Sequence, residues 1–152
     1  MRKTIAAITA IAICCLILAA SADETAVYVT ASELNGRSEA NIKASIEARF
    51  MRDECLEVVG YQIGWVEAVG GETGTVFCKA EYLTEYEIDA KYANTSGGRV
   101  FIHKELGDDD TDVNLIVDAG KSVTITRVLH GYGYMGRGWV EMRFFEREDE
   151  AE

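Results

Sequence analysis

After an apolar opening, short runs of β-branched and aromatic residues recur along the chain, each bounded by glycine, asparagine or aspartate. They fall at 26–30 (AVYVT), 55–59 (CLEVV), 65–69 (WVEAV), 75–78 (TVFC), 99–103 (RVFIH), 122–129 (SVTITRVL) and 139–145 (WVEMRFF). Gly60 closes one run, Gly70-Gly71 follows another, and Gly74 precedes a third. Runs this short, separated by turn formers, predict an all-β chain of small barrels or sandwiches. One stretch competes. Ile42, Ile46 and Phe50 lie four apart with good helix formers between them, so a short helix is the alternative there, although no stop signal precedes Cys55. Proline is absent, so the turns must rest on Gly, Asn and Asp.

The pattern runs twice. In the first half Asp53-Glu54-Cys55-Leu56-Glu57-Val58-Val59 leads to Trp65 and then to Gly74-Thr75-Val76. In the second half Gly120-Lys121-Ser122-Val123-Thr124-Ile125-Thr126 leads to a Tyr/Gly segment and then to Gly138-Trp139-Val140. The expected organisation is one domain over 23–84, a connector over 85–97 (EYEIDAKYANTSG), a second domain over 98–146 and an acidic tail over 147–152. Units of this size stand near the lower limit for a barrel that folds alone.

The opening residues read as an address. Arg2 and Lys3 precede an uncharged apolar run, and Ala20-Ser21-Ala22 matches a small-residue cleavage site before Asp23-Glu24. This is the pattern of a secretory signal peptide over 1–22. An uncleaved anchor is the alternative, but the run is shorter than the roughly 20 residues a spanning helix needs. A lipobox is weaker still, since Ile13 and Cys14 precede the two cysteines where a small residue is required. The expected location is therefore secreted or periplasmic, at the cell envelope, with no stable membrane insertion after cleavage.

Charge narrows the partners. The chain carries 15 Lys plus Arg against 26 Asp plus Glu, a net charge of −11. Loss of Arg2 and Lys3 with the leader deepens it to −13. Such a surface argues against nucleic acid, whose phosphates call for clustered cations. Cleavage would also leave Cys55 and Cys78 as the only cysteines, and outside the cytoplasm two cysteines are expected to pair. A bridge there would contribute about 3 kcal/mol in the chain-entropy model. The alternative is two buried free thiols.

The order of these segments resembles a family. Tyr28-Val29-Thr30-Ala31-Ser32-Glu33-Leu34-Asn35-Gly36-Arg37-Ser38 is similar to the opening of bacterial SH3-like domains, "v-T-A-x-x-L-N-V-R-S-G-P". Gly64-Trp65-Val66-Glu67-Ala68-Val69 resembles the family's "g-W-x-x-V", and 74–83 (GTVFCKAEYL) its closing "G-[WY]-V-x-x-x-Y-L". The second half follows more loosely. Residues 98–104 (GRVFIHK) stand where "L-N-V-R" stood, Gly120 to Ile125 resembles "G-x-x-V-x-V", and 138–145 (GWVEMRFF) resembles the closing motif. The resemblance implies two SH3-like barrels in tandem. It also implies a binding module for cell-wall peptidoglycan, peptide or glycan, with an envelope protein presenting an extended or basic peptide as the alternative partner. Four departures fall in the first unit. Gly36 stands for the usual Val, Ala40 for Pro, Asp53 for a turn Gly and Thr75 for the closing aromatic. They make that unit the expected place for an altered binding surface.

Catalysis is not expected from these residues. The only histidines, His103 and His130, lie in the second unit, Cys55 and Cys78 lie in the first, and no peptidase motif surrounds either cysteine. No cofactor is implied. Asp108-Asp109-Asp110-Thr111-Asp112 is the densest charge, but Val113 and Ala119 occupy the positions where an EF-hand loop needs Gly and Glu, so a solvated loop and no metal is expected. Aromatic residues are the candidate ligand contacts: Tyr61 and Trp65 in the first unit, and Tyr132, Tyr134 and Trp139 with Arg137 in the Gly-spaced hairpin of the second. Flat rings on an open face offer contact area at low entropic cost. The alternative is that Trp65 and Trp139 fill the small cores.

Overall fold

The computed structural model describes residues 26–72, 74–108 and 115–150. The signal-peptide segment, most of the acidic run at 108–112 and the end of the acidic tail lie outside them.

The described residues are all β, with short 3₁₀ turns and no α-helix. Ala26–Val29 (β1), Glu33–Arg37 (β2), Ile46–Met51 (β3), Cys55–Gln62 (β4), Trp65–Val69 (β5), Thr75–Lys79 (β6) and Leu83–Thr84 (β7) form one curled sheet in the order β3-β2-β6-β5-β4-β1-β7. Tyr86–Asn94 (β8) begins a second unit. It continues through the ribbon Val100–Phe101 (β9) and Ile116–Val117 (β10), then Ser122–Leu129 (β11), Tyr132–Tyr134 (β12), Trp139–Glu141 (β13) and Phe145–Arg147 (β14). Its main sheet has the order β13-β12-β11-β8-β14.

Two expectations are corrected. Residues 42–50 form no helix: Ile46 and Phe50 belong to β3, where Phe50 faces Leu34 of β2. A spacing of four is also even, so it marks one face of a strand as well as one face of a helix. Nor is 85–97 a connector. Its centre is β8, paired with both β11 and β14. One residue, Glu85, separates β7 from β8.

The two units share one plan: a strand, a hairpin or ribbon, a three-strand meander, a 3₁₀ turn and a closing strand. The turns Ala80–Tyr82 and Met142–Phe144 are flanked alike, by Lys79 (φ −62°, ψ 124°) and Leu83 (−125°, 153°) in one and Glu141 (−70°, 117°) and Phe145 (−126°, 139°) in the other. Strand register extends the equivalence. Gln62 faces Trp65 as Leu129 faces Tyr132, and Arg37 faces Phe77 as His103 faces Trp139. Trp139 therefore corresponds to Phe77. The closing aromatic expected at Thr75 is present two residues later, and the first unit has not lost it.

The same equivalence accounts for Gly36. A Cβ there would lie 2.7 Å from Val76 Cγ2 and 3.0 Å from Phe50 Cε2. In the second unit the matching pair is Ile102 and Gly138, and a Cβ on Gly138 would meet Ile102 Cγ2 at 2.8 Å. Each unit thus places one large and one absent side chain at this crossing, on opposite strands. Asp53 takes φ 68°, the left-handed conformation that glycine reaches freely and aspartate tolerates.

Two apolar cores result. Val100, Ile102, Val117, Ile125, Val128, Val140 and Phe145 fill the second unit. The first core, built on Val27, Val29, Leu56, Val66, Val76 and Leu83, also takes in Leu106, Leu129 and Trp139 from the second unit. Cys55 and Cys78 are not joined in a disulfide. Cys78 faces Val66, whose neighbour on β4 is Tyr61, six residues along the strand from Cys55. The Cys55 side chain is exposed and that of Cys78 buried in the core, an arrangement incompatible with the short Cα separation a bridge requires.

Candidate functional site

Three surface features follow from this packing: a groove on the first unit, the junction between the units, and a groove on the second.

On the first unit, β2, β5 and the 3₁₀ turn border a groove of about 400 Å³. Trp65 forms its floor and is only 7% exposed, while Tyr82 stands 43% exposed at its side. Leu34 and Ile42 add apolar surface. Arg37 donates to the Ala44 carbonyl at 2.8 Å. The Lys79 ammonium lies 5.1 Å from the centre of the Trp65 ring and 3.3 Å from Glu105 of the second unit. Glu33 and Glu81 border the same groove, so its rim carries both signs. The buried Oδ1 of Asn35, also on this groove, has no hydrogen-bond partner. A buried amide oxygen left unpaired costs about 1–3 kcal/mol.

At the junction, the loop after β9 reaches across to the first unit. Leu106 is buried there, and its carbonyl accepts from the Gly64 N–H at 2.8 Å. Arg127 spans the units from β11. It donates to Thr30 Oγ1 at 3.1 Å and to the Glu81 carbonyl, and its guanidinium lies 4.2 Å from the Tyr134 ring centre. Burial lowers the Arg127 pKa, with Tyr134, Glu81 and Glu87 opposing the shift. His130 and Gly131 form the two-residue turn between β11 and β12, with φ 49° and 75°. Positive φ at both positions suits a tight hairpin. Histidine is an unusual choice there, and its ring stacks on Tyr61 of the first unit at 3.8 Å, 17° from parallel. The Glu85 carboxylate accepts from the His130 N–H at 2.8 Å. Burial, and secondarily the charge on Glu85, push the Tyr61 phenol up to about 12, and its oxygen is buried with no hydrogen-bond partner.

The second unit repeats the first groove with its charges exchanged. By register and turn position Tyr132 stands where Trp65 stands, Glu141 where Lys79 does, and Arg143 where Glu81 does. Glu141 and Arg143 pair with each other at 2.6 Å.

The candidates read from sequence divide accordingly. Tyr61 and Tyr132 line the junction cleft, and Trp65 floors the first groove. Trp139 is 1% exposed and packs against Tyr134, 5.0 Å between ring centres. Tyr134 is itself held under Arg127, and Arg137 is an exposed residue of the β12–β13 turn. The open aromatic face expected of 132–139 is therefore largely turned inward. Tyr82, Asn35, Arg127 and Leu106 are absent from that candidate set. His130 was legible as a turn residue, but nothing local marked its stacking partner.

No family model and no curated protein matches the chain. Among solved structures it is similar to NlpC2 from Trichomonas vaginalis, with a TM-score of 0.35, 18% identity and coverage of 84% of this chain and 49% of that one. It is likewise similar to NlpC1 from the same organism, with a TM-score of 0.35, 19% identity and coverage of 84% and 47%. The chain spans about half the length of each. The expectation of no catalysis is set aside: the solved structures found are NlpC proteins.

Proposed function

We propose that the chain is a pair of SH3-like barrels acting as a binding module at the bacterial cell envelope, and that the groove of the first unit captures an extended segment of cell-wall peptide. The groove itself carries this reading. It combines a tryptophan floor, an exposed tyrosine, and cations and carboxylates on one rim. A peptide bearing both amine and carboxylate groups is complementary to such a rim. The shared order of strand, hairpin, meander, 3₁₀ turn and strand supports the barrel assignment, and the leader-like opening supports the location.

The test is co-sedimentation of the purified chain with insoluble peptidoglycan at low and high salt, alongside Tyr82→Ala. Retention at both salts, reduced by the substitution, is expected. Absence from the pellet at both salts refutes the reading. A second reading, capture of a basic peptide from an envelope protein, is favoured by Glu33 and Glu81 on the rim and by the net charge of −11. It predicts binding that collapses as ionic strength rises.

A further inference from the structure

One carboxylate at the first-unit groove comes from the second unit. The Lys79 ammonium donates to the two oxygens of Glu105, in the loop after β9, at 3.3 and 3.5 Å. An exposed ion pair contributes little, but this one is built in. The Glu105 carbonyl accepts from the Asp108 N–H at 3.2 Å, which closes a turn. The next residue, Leu106, is 1% exposed within the first core, and its carbonyl holds the Gly64 N–H. The Gly64 carbonyl accepts in turn from the N–H of Ala80, the residue after Lys79, at 3.0 Å. A Cβ on Gly64 would lie 2.6 Å from Glu105 Oε2, so the missing side chain leaves room for the carboxylate.

The ammonium is placed as firmly. It stands over the Trp65 ring, an aromatic face that attracts a cation. The Lys79 and Glu105 side chains are only 22% and 35% exposed, so solvent screens the pair less than one on the open surface. An ammonium fixed above an aromatic floor, on the border of an open groove, is suited to a carboxylate. Here the carboxylate is the chain's own. The groove's other cation, Arg37, already donates to the Ala44 carbonyl. With Glu105 in place, Glu33, Glu81 and Glu105 outnumber Arg37 and Lys79, and an incoming carboxylate is repelled. Without it the signs balance.

We infer that Lys79 and Trp65 form a carboxylate-binding subsite of the first-unit groove, occupied in cis by Glu105 of the second unit, which a ligand carboxylate must displace. The second unit thereby holds the first groove in a self-occupied state. The subsite follows from the packing around Lys79 and does not depend on what the rest of the groove binds.

The test titrates the full chain with N-acetylalanine, a free carboxylate, and with its amide, read by NMR from the Trp65 indole N–H and the backbone amides of 65 and 79–82. The buried Trp139 indole is the reference. Glu105→Gln keeps the length of the side chain and leaves Leu106 in place, and unchanged amides at 64 and 106 report that the loop stays docked. It should bind the carboxylate about tenfold tighter than the parent, the scale of one charge-assisted hydrogen bond, and the amide no tighter. Glu105→Ala should show the same gain, and adding Lys79→Met to Glu105→Gln should remove it. The inference is overturned if neither Glu105 variant binds the carboxylate tighter than the parent, if the amide gains equally, or if the gain survives Lys79→Met. Peptidoglycan retention does not enter this readout, so its failure would refute the proposed ligand and leave the subsite standing.

Discussion

The exchange between Gly36/Val76 and Ile102/Gly138 predicts a specific coupling. Gly36→Ala places a methyl 2.7 Å from Val76 Cγ2 and 3.0 Å from Val76 Cβ and Phe50 Cε2. Overpacking of this kind costs about 1–3 kcal/mol. Gly36 lies outside the left-handed region, so the substitution also recovers about 0.4–1 kcal/mol of unfolded-state entropy. The expected net loss is about 1–2 kcal/mol. Val76 is fully buried, and Val76→Ala should cost about 2–3 kcal/mol in lost burial and cavity. In the double variant the methyl added at position 36 occupies space that Val76 Cγ2 vacates, so the loss should be about 2–3 kcal/mol rather than the sum of the two. The difference is a coupling of about 1–2 kcal/mol, read from urea midpoints at an m-value of about 1.5 kcal/mol/M. The second unit supplies the control. A Cβ on Gly138 also meets the backbone oxygen of His103, at 2.5 Å. Ile102→Ala cannot relieve that clash, so Gly138→Ala should not be rescued. Single variants that add within about 0.5 kcal/mol at 36/76, or equal rescue at 102/138, would refute the packing argument.

Two further outcomes follow. Arg127→Met removes a charged donor from Thr30 and Glu81 and the cation over Tyr134, and should cost about 2–4 kcal/mol in urea unfolding; a loss below about 0.5 kcal/mol would show that the junction does not depend on it. Alkaline stability should fall early: burial raises the Cys78 thiol from 9.0 and the Tyr61 phenol from 10.0, each to about 12, so the unfolded chain ionises first and the stability held below pH 9 is lost progressively up to pH 12. Cys78→Ala with Tyr61→Phe should flatten that decline, and an unchanged slope would count against burial as its cause.

Much of the strand pattern was legible. The runs at 65–69 and 122–129 match β5 and β11 residue for residue, and the one at 75–78 falls a residue short of β6. What escaped did so for physical reasons. β8 alternates Tyr86, Ile88, Ala90 and Tyr92 with Glu87, Asp89 and Lys91, which is strand periodicity, but its charge density suits an exposed connector equally well. β2 contains Gly36, which weakens a strand until Val76 is known to fill its place. The junction was out of reach because it depends on pairs such as Tyr61–His130 and Arg127–Thr30, separated in sequence by more than the length of either unit. Local patterning showed which residues were aromatic. It could not show that Trp139 and Tyr134 would be consumed in packing while Tyr61 would keep an unpaired hydroxyl.

Glu85 is the whole of the covalent connection between the two units, and with the packed junction it would make the pair a ruler if both grooves bind one polymer. A long flexible tether would let each groove search independently and would dilute one site as seen from the other. Here the distance from the Tyr82 groove to the His130 depression is set by packed strands. On a polymer whose repeat matches that distance, engagement of one site presents the next segment to the other at high effective concentration. A polymer out of step gains nothing, however well either site binds alone. If both depressions bind, their spacing would be a selectivity element in its own right, and loosening the packed junction, as Arg127→Met should, would be needed to relax it.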